Sequence, residues 1–225
     1  METVEIQLFW LPLGAGGRSV RWNGRVFEAL AVRHERRPAQ DLYHSALAVR
    51  LGDERLVIEM APAWSRAAAD RGVVRTGPVG LRWLGRSVLF RYEVRLWRDG
   101  VIPDVDEAVG APTYVDTDPA RTRRLLAAVP VVPAPTWGRD ELGLGEMWNS
   151  NSLVSWLIAT SGHDVARLHP PSAGRAPGWD AGLELANRSG RVQDRGQLLD
   201  AVDQPGAGAG PGGVGVHGVD RDAGR

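Results

Sequence analysis

Two apolar stretches separated by a tight turn constrain this chain more than anything else in it. Leu42-Tyr43-His44-Ser45-Ala46-Leu47-Ala48-Val49 and Arg55-Leu56-Val57-Ile58-Glu59-Met60 flank Gly52-Asp53-Glu54. Strand-like runs around so short a connection form a hairpin, because only an antiparallel pair can be closed by a few residues. The hairpin puts His44 and Glu59 on neighbouring strands. Glu2 to Leu11 and Arg25 to Arg33 also read as strands, joined through Gly14-Ala15-Gly16-Gly17 and Asn23-Gly24. Val88 to Trp97 alternates apolar and charged residues from Phe90 onward, the period of a half-buried strand.

Helices come later in the chain. Asp118-Pro119 opens one, with Asp at the cap and Pro at the first helical position, and Leu125, Leu126 and Val129 fall on one side of it while Arg123 and Arg124 face solvent. A second helix is announced by Trp148-Asn149-Ser150-Asn151-Ser152, which leads into Leu153-Val154-Ser155-Trp156-Leu157-Ile158-Ala159 and stops at Gly162. Strands followed by helices make this an α+β chain, an antiparallel sheet packed on the Ser150 helix. The expected organisation is one domain over residues 1–186, with Pro170 to Asp180 as a loop beside the site. A disordered Gly-rich tail is expected over 187–225, where aromatic residues end and Gly206 to Gly213 dominates.

Composition excludes several functions. The 27 Arg are balanced by 27 Asp and Glu, so net charge gives no reason to expect nucleic acid or an anionic membrane as partner, although local patches remain open. The absence of Lys beside abundant Arg, Gly, Ala and Pro points to a GC-rich, actinobacterial-like genome. No cysteine is present, which removes disulfides, thiolate metal sites and a thiol nucleophile. An acidic N-terminus argues against a secretory signal, and the longest apolar stretch, Leu125 to Pro135, is short and broken by three prolines, so a soluble cytoplasmic protein without a membrane span is expected. Neither a metal nor a cofactor is called for: His163-Asp164 and His169 have no recognised ligand spacing and read as surface loop residues.

One constellation carries chemistry. A helix N-terminus offers unpaired N–H groups and a positive dipole end, so a nucleophile or a developing oxyanion is stabilised there. Ser150 at that position, His44 as base and Glu59 as the group that fixes the base's tautomer would suffice for acyl transfer. Asn149, Asn151 and Ser152 then serve as oxyanion donors or as helix caps, and Trp148 and Trp179 flank the site as pocket walls. The bland alternative is that Asn149, Ser150 and Asn151 only satisfy the first turn of the helix.

The order of these motifs resembles that of the circularly permuted papain-like families: NlpC-like amidases, PPPDE-type peptidases and lecithin retinol acyltransferase-like proteins. In them a strand His precedes a nucleophile set in an Asn-Cys-Asn-Ser or Asn-Cys-Asn-His helix start. Here Tyr43-His44-Ser45 and Asn149-Ser150-Asn151-Ser152 hold those places, and the similarity covers His44 to Ala159. The resemblance implies a hydrolase or acyltransferase fold with Ser150 at the nucleophile position, His44 at the base position and Glu59 at the third. Its ligand would be a small molecule or peptide carrying an amide, peptide or ester bond. Ser in place of Cys is a large change, because a hydroxyl is not ionised near neutral pH. A catalytically inactive binding module of the same fold, recognising a peptide or acyl ligand, is the other expectation. The oligomeric state is left open.

Overall fold

The computed structural model describes residues 3–13, 41–63 and 71–202. The strand expected over Arg25 to Arg33, the Gly14 to Gly17 turn, and the tail from residue 203 onward lie outside them. The chain divides into two units, and everything below concerns the first, Met1–Gly190.

The fold is α+β. Six strands, β1 (Val4–Pro12), β2 (Tyr43–Leu51), β3 (Glu54–Pro62), β4 (Val73–Pro78), β5 (Arg91–Arg98) and β6 (Thr113–Tyr114), form an antiparallel sheet in the order β4-β5-β3-β2-β1-β6. Among the described residues there are three α-helices: α1 (Pro119–Ala128), α2 (Ser150–Thr160) and α3 (Trp179–Val202).

Period-two alternation sorts the side chains onto two faces. Ile6, Leu8 and Trp10 of β1, Tyr43, Leu47 and Val49 of β2, and Ile58 and Met60 of β3 form one core with Leu125 of α1, Leu153, Trp156 and Leu157 of α2 and Ala186 of α3. Leu11, Ala46, Ala48 and Val57 point the other way, onto Ile102, Val105 and Ala108 of the β5–β6 connection. Residues 150–158 are all buried, so α2 has no solvent face.

Expectation and structure differ at three places. Val88–Phe90 is a turn of 3-10 helix and the strand begins at Arg91, because the apolar-charged alternation starts only there. Trp179 opens α3 instead of sitting in a loop, and the boundary expected at residue 186 falls inside that helix. Polar composition does not stop a helix: Arg188 pairs with Glu184 one turn back at 2.8 Å, and Ser189 Oγ donates to the Leu185 carbonyl. His163, expected in a surface loop, is 5% exposed.

The sheet is not continuous from end to end. β2 and β3 pair only from Leu47↔Ile58 to Leu51↔Glu54. Beyond Leu47, β2 stays with β1 as far as Tyr43, while β3 stays with β5 as far as Pro62, so the two strands part. Further out, Tyr43 N–H donates to the Arg175 carbonyl, which takes β3's place beside β2. On β3, Glu59 faces its cross-strand partner Arg95, whose Nη1 donates to Glu59 Oε1 at 2.5 Å. Arg95 also donates to Glu93 Oε2 from Nη2 at 2.9 Å. Both members of the Glu59–Arg95 pair are buried.

Removing one member of a buried ion pair strands the other charge. Arg95→Met should therefore lower the unfolding free energy by about 3–5 kcal/mol in urea denaturation. A loss under about 1 kcal/mol would show that the pair is not a structural tie.

Candidate functional site

The gap between β2 and β3 opens into a pocket of about 450 Å³, within the usual range for small-molecule sites. Its walls are mostly apolar, with Leu13, Ala46, Met60, Ile102, Trp137 and Met147 among them, and His44, Glu59, Asp104, Asn149, Ser150 and Asn151 also reach it. Trp148 and Trp179 do not line it. Trp148 is 2% exposed in the main core, and the Trp179 ring lies 5.2 Å from that of Trp10. Trp137 takes the aromatic position instead, held by its backbone pairing with Val79 and Trp148.

Most of the polar motif at the start of α2 is structural. Asn149 is the N-cap: its Oδ1 accepts from Asn151 N at 2.9 Å and Ser152 N at 3.3 Å, and Ser152 Oγ accepts from Asn149 N at 3.1 Å, completing a capping box. The same side chains grip the segment leading into α3. Asn149 Nδ2 and Asn151 Nδ2 both donate to the Pro177 carbonyl, Ser152 Oγ to that of Gly178 and Ser155 Oγ to that of Trp179. Gly178 is required there: its φ is +89°, and a Cβ would lie 2.6 Å from Asn149 Oδ1 and from the Met147 carbonyl. Asn151, 1% exposed, also donates to the Tyr43 carbonyl and accepts from Ser45 Oγ, bolting the helix to β2.

The cap therefore occupies the Asn151 and Ser152 N–H groups that an oxyanion hole at this helix start would use. Ser150 is the exception in the motif. Among the described residues its hydroxyl makes no hydrogen bond, and it faces the pocket.

His44 approaches from the other side. Ser45 points toward α2, so alternation along β2 sets His44 with Ala46 and Ala48 on the opposite face. Ser150 and His44 thus border one pocket from different sides, Ser150 from the start of α2 and His44 from the face of β2 turned away from that helix. No hydrogen bond links them, and among the described residues the His44 ring makes none. Burial pushes its pKa down to about 4, against the upward pull of Asp104. The ring is therefore neutral near neutral pH.

Glu59 lines the pocket, but its carboxylate accepts a hydrogen bond from Arg95, and burial pushes its carboxyl above the ordinary value against that guanidinium. The acid whose field reaches His44 is Asp104, an exposed residue with left-handed backbone (φ 58°) in the β5–β6 connection. Val101-Ile102-Pro103-Asp104 has no periodicity, and nothing in it ties it to a strand sixty residues earlier. Only the fold reveals that neighbour.

A second serine–histidine–acid set lies at the far end of α2. Ser161 Oγ is 2.7 Å from His163 Nδ1, and His163 Nε2 is 3.9 Å from Asp116 Oδ2. Ser161 is 1% exposed and its hydroxyl contacts the Leu157 and Ile158 carbonyls, so the set closes the helix C-terminus. Among the described residues no three His, Asp or Glu side chains gather as a metal site needs, and no helix is long and apolar enough to cross a membrane.

Comparison with family models, with curated proteins and with solved structures finds no match for this chain.

The depressed pKa of His44 has a consequence for stability. The unfolded chain takes up the proton first, near pH 6.5, and the folded protein only near pH 4. Stability is therefore full above the upper value and falls as pH drops through that window. In His44→Gln the fall should be shallower, read from urea midpoints at a series of pH values. Identical slopes would show that the ring titrates normally.

Proposed function

We propose that the pocket between β2 and β3 binds, without forming a covalent bond, a small ligand with an apolar chain and a neutral amide or ester group. The observation that carries this reading is that Ser150 and His44, free of hydrogen bonds to the described residues, border the same apolar pocket. Buried polar groups without partners are costly, so groups left so in a pocket are suited to a ligand's polar atoms. The backbone supports the same ligand. Tyr43 N–H points away from β1 to Arg175, so by alternation the N–H and C=O of Ser45 also face the opening, with no strand of the sheet beside them. An extended amide fits such an edge.

Charge narrows the class further. Among the described residues no Arg lines the pocket, whereas Glu59 and Asp104 do. Among the described lining residues a carboxylate or phosphate head would meet two acids and no cationic side chain, which favours a neutral head group. This is the binding-module form of the permuted papain-like reading, with Ser150 at the nucleophile position used to recognise the ligand.

A hydrolytic reading is favoured by one observation, the neutral His44 ring, which is able to accept a proton. Against it stand the capped N–H groups of α2 and the placement of Ser150 and His44 on different sides of the pocket.

Calorimetric titration separates these. Octanamide should bind at least about tenfold more tightly than octanoate, a difference of about 1.4 kcal/mol, and Ala61→Trp should abolish binding in a protein that still folds. Equal affinity for the two, or none for either, overturns the ligand class. A fluorophosphonate probe should leave the protein unlabelled. Labelling that disappears in both Ser150→Ala and His44→Ala would instead establish hydrolysis.

A further inference from the structure

We propose that residues 79–90, which connect β4 to β5, form an anchor that seats the protein on a bilayer surface rich in anionic lipid. Two observations carry this. The first is apolar exposure concentrated in one short stretch. Trp83 is 66% exposed, Leu89 63%, Val88 55%, Phe90 41% and Leu81 38%, all within ten residues. Single exposed apolar residues are ordinary on a protein surface, but a contiguous group this dense marks an interaction site.

The second observation is the charge around it. Arg71, Arg75, Arg82, Arg86 and Arg91 fall between residues 71 and 92, a span without a single Asp or Glu, in a chain whose overall charge is zero. Arg75, Arg82 and Arg86 are exposed. Arg71 pairs with Glu93 at 3.7 Å and Arg91 is turned back onto the Gly85 and Arg86 carbonyls, so the surface charge rests on Arg75, Arg82 and Arg86; Arg82 has an acidic neighbour, Glu141, at 3.8 Å, but with 84% of its side chain exposed that contact is weak. Trp, Phe and Leu beside exposed Arg is the chemistry of an element lying in the headgroup region, with rings and aliphatic groups at the acyl boundary and guanidinium groups on phosphates.

The backbone permits this. Residues 82–86 and 88–90 are turns of 3-10 helix, and the segment satisfies much of its own backbone: Leu84 N–H donates to Leu81 O, Ser87 N–H to Leu84 O, Phe90 N–H to Ser87 O and Val79 N–H to Phe90 O. Arg91 braces the loop from below, its Nε donating to the Gly85 carbonyl at 2.5 Å. Side chains can therefore enter the interface with little cost from bare peptide groups. A second copy of the chain is a poorer occupant, because a symmetric contact would set one copy's arginines against the other's.

The anchor lies at the pocket's end of the sheet, since Val79 pairs with the pocket residue Trp137, but the inference does not depend on what the pocket holds.

The test is co-sedimentation of the full chain with sucrose-loaded vesicles of phosphatidylcholine alone, and of phosphatidylcholine mixed with phosphatidylglycerol. The protein should pellet with the mixed vesicles and not with phosphatidylcholine alone, and added salt should release it. Replacing Arg75, Arg82 and Arg86 together with Ser should weaken binding on the order of a hundredfold, from roughly fivefold for each charge. Leu89→Ser with Phe90→Ser should weaken it at least about tenfold while leaving the thermal midpoint unchanged. Failure of the parent protein to pellet with the mixed vesicles overturns the proposal, as does unchanged binding in either variant. A dimer in light scattering that the Leu89→Ser, Phe90→Ser variant abolishes, or capture of an acidic protein in place of vesicles, would assign the surface to another occupant and likewise overturn it.

Discussion

The carboxamide of Asn151 is the interaction on which the rest of this architecture depends. One buried side chain reaches the Tyr43 carbonyl and the Ser45 hydroxyl on β2, and the Pro177 carbonyl ahead of α3. It sets how α2 sits on the sheet and where the third helix begins. A shorter or apolar residue there would take this partner from the Tyr43 carbonyl and the Ser45 hydroxyl and leave the Pro177 carbonyl only Asn149. Ser152 and Ser155 repeat the grip on Gly178 and Trp179, so one side of α2 acts as a polar rail for an incoming chain. What lies at the start of α2 is thus a joint first, and a site only at Ser150.

That division explains how far the chain could be read before its structure was seen. The β2–β3 hairpin and both caps were legible, because turns and caps are local: Asp118 accepts from Ala120 and Arg121, and Asn149 from Asn151 and Ser152. The alternation of β2 was legible too, but which of its two faces would carry α2 was not, since that choice is made by long-range packing. It decides that Ser45 meets the helix and His44 does not. Glu59 was recognisable as a strand acid, yet its partner Arg95 is one of 27 arginines, and no local rule selects it. Asp104 reaches the surroundings of His44 from a loop without periodicity. Polar residues at Asn149, Asn151 and Ser152 carry the same letters whether they bind a ligand or a neighbouring carbonyl, and only the position of Pro177 to Trp179 separates the two.

The pocket exists because different partners hold the two central strands. β2 is claimed by β1, α2 and the Arg175 carbonyl, and β3 by β5 through the Glu59–Arg95 pair. Neither set of contacts draws the strands together past Leu47 and Ile58. The opening is lined by what the parted strands leave behind: short side chains such as Ala46 and Ala61, exposed main-chain edges, and two polar groups from different sides.

Seen mechanically, β6-β1-β2 and β3-β5-β4 are two leaves bound along a spine of five residue pairs. Among the described residues the two leaves share main-chain bonds along only that spine, and the pocket takes lining residues from both. A molecule seated in the crease would therefore touch both leaves at once and add a tie between them where the ladder lacks one.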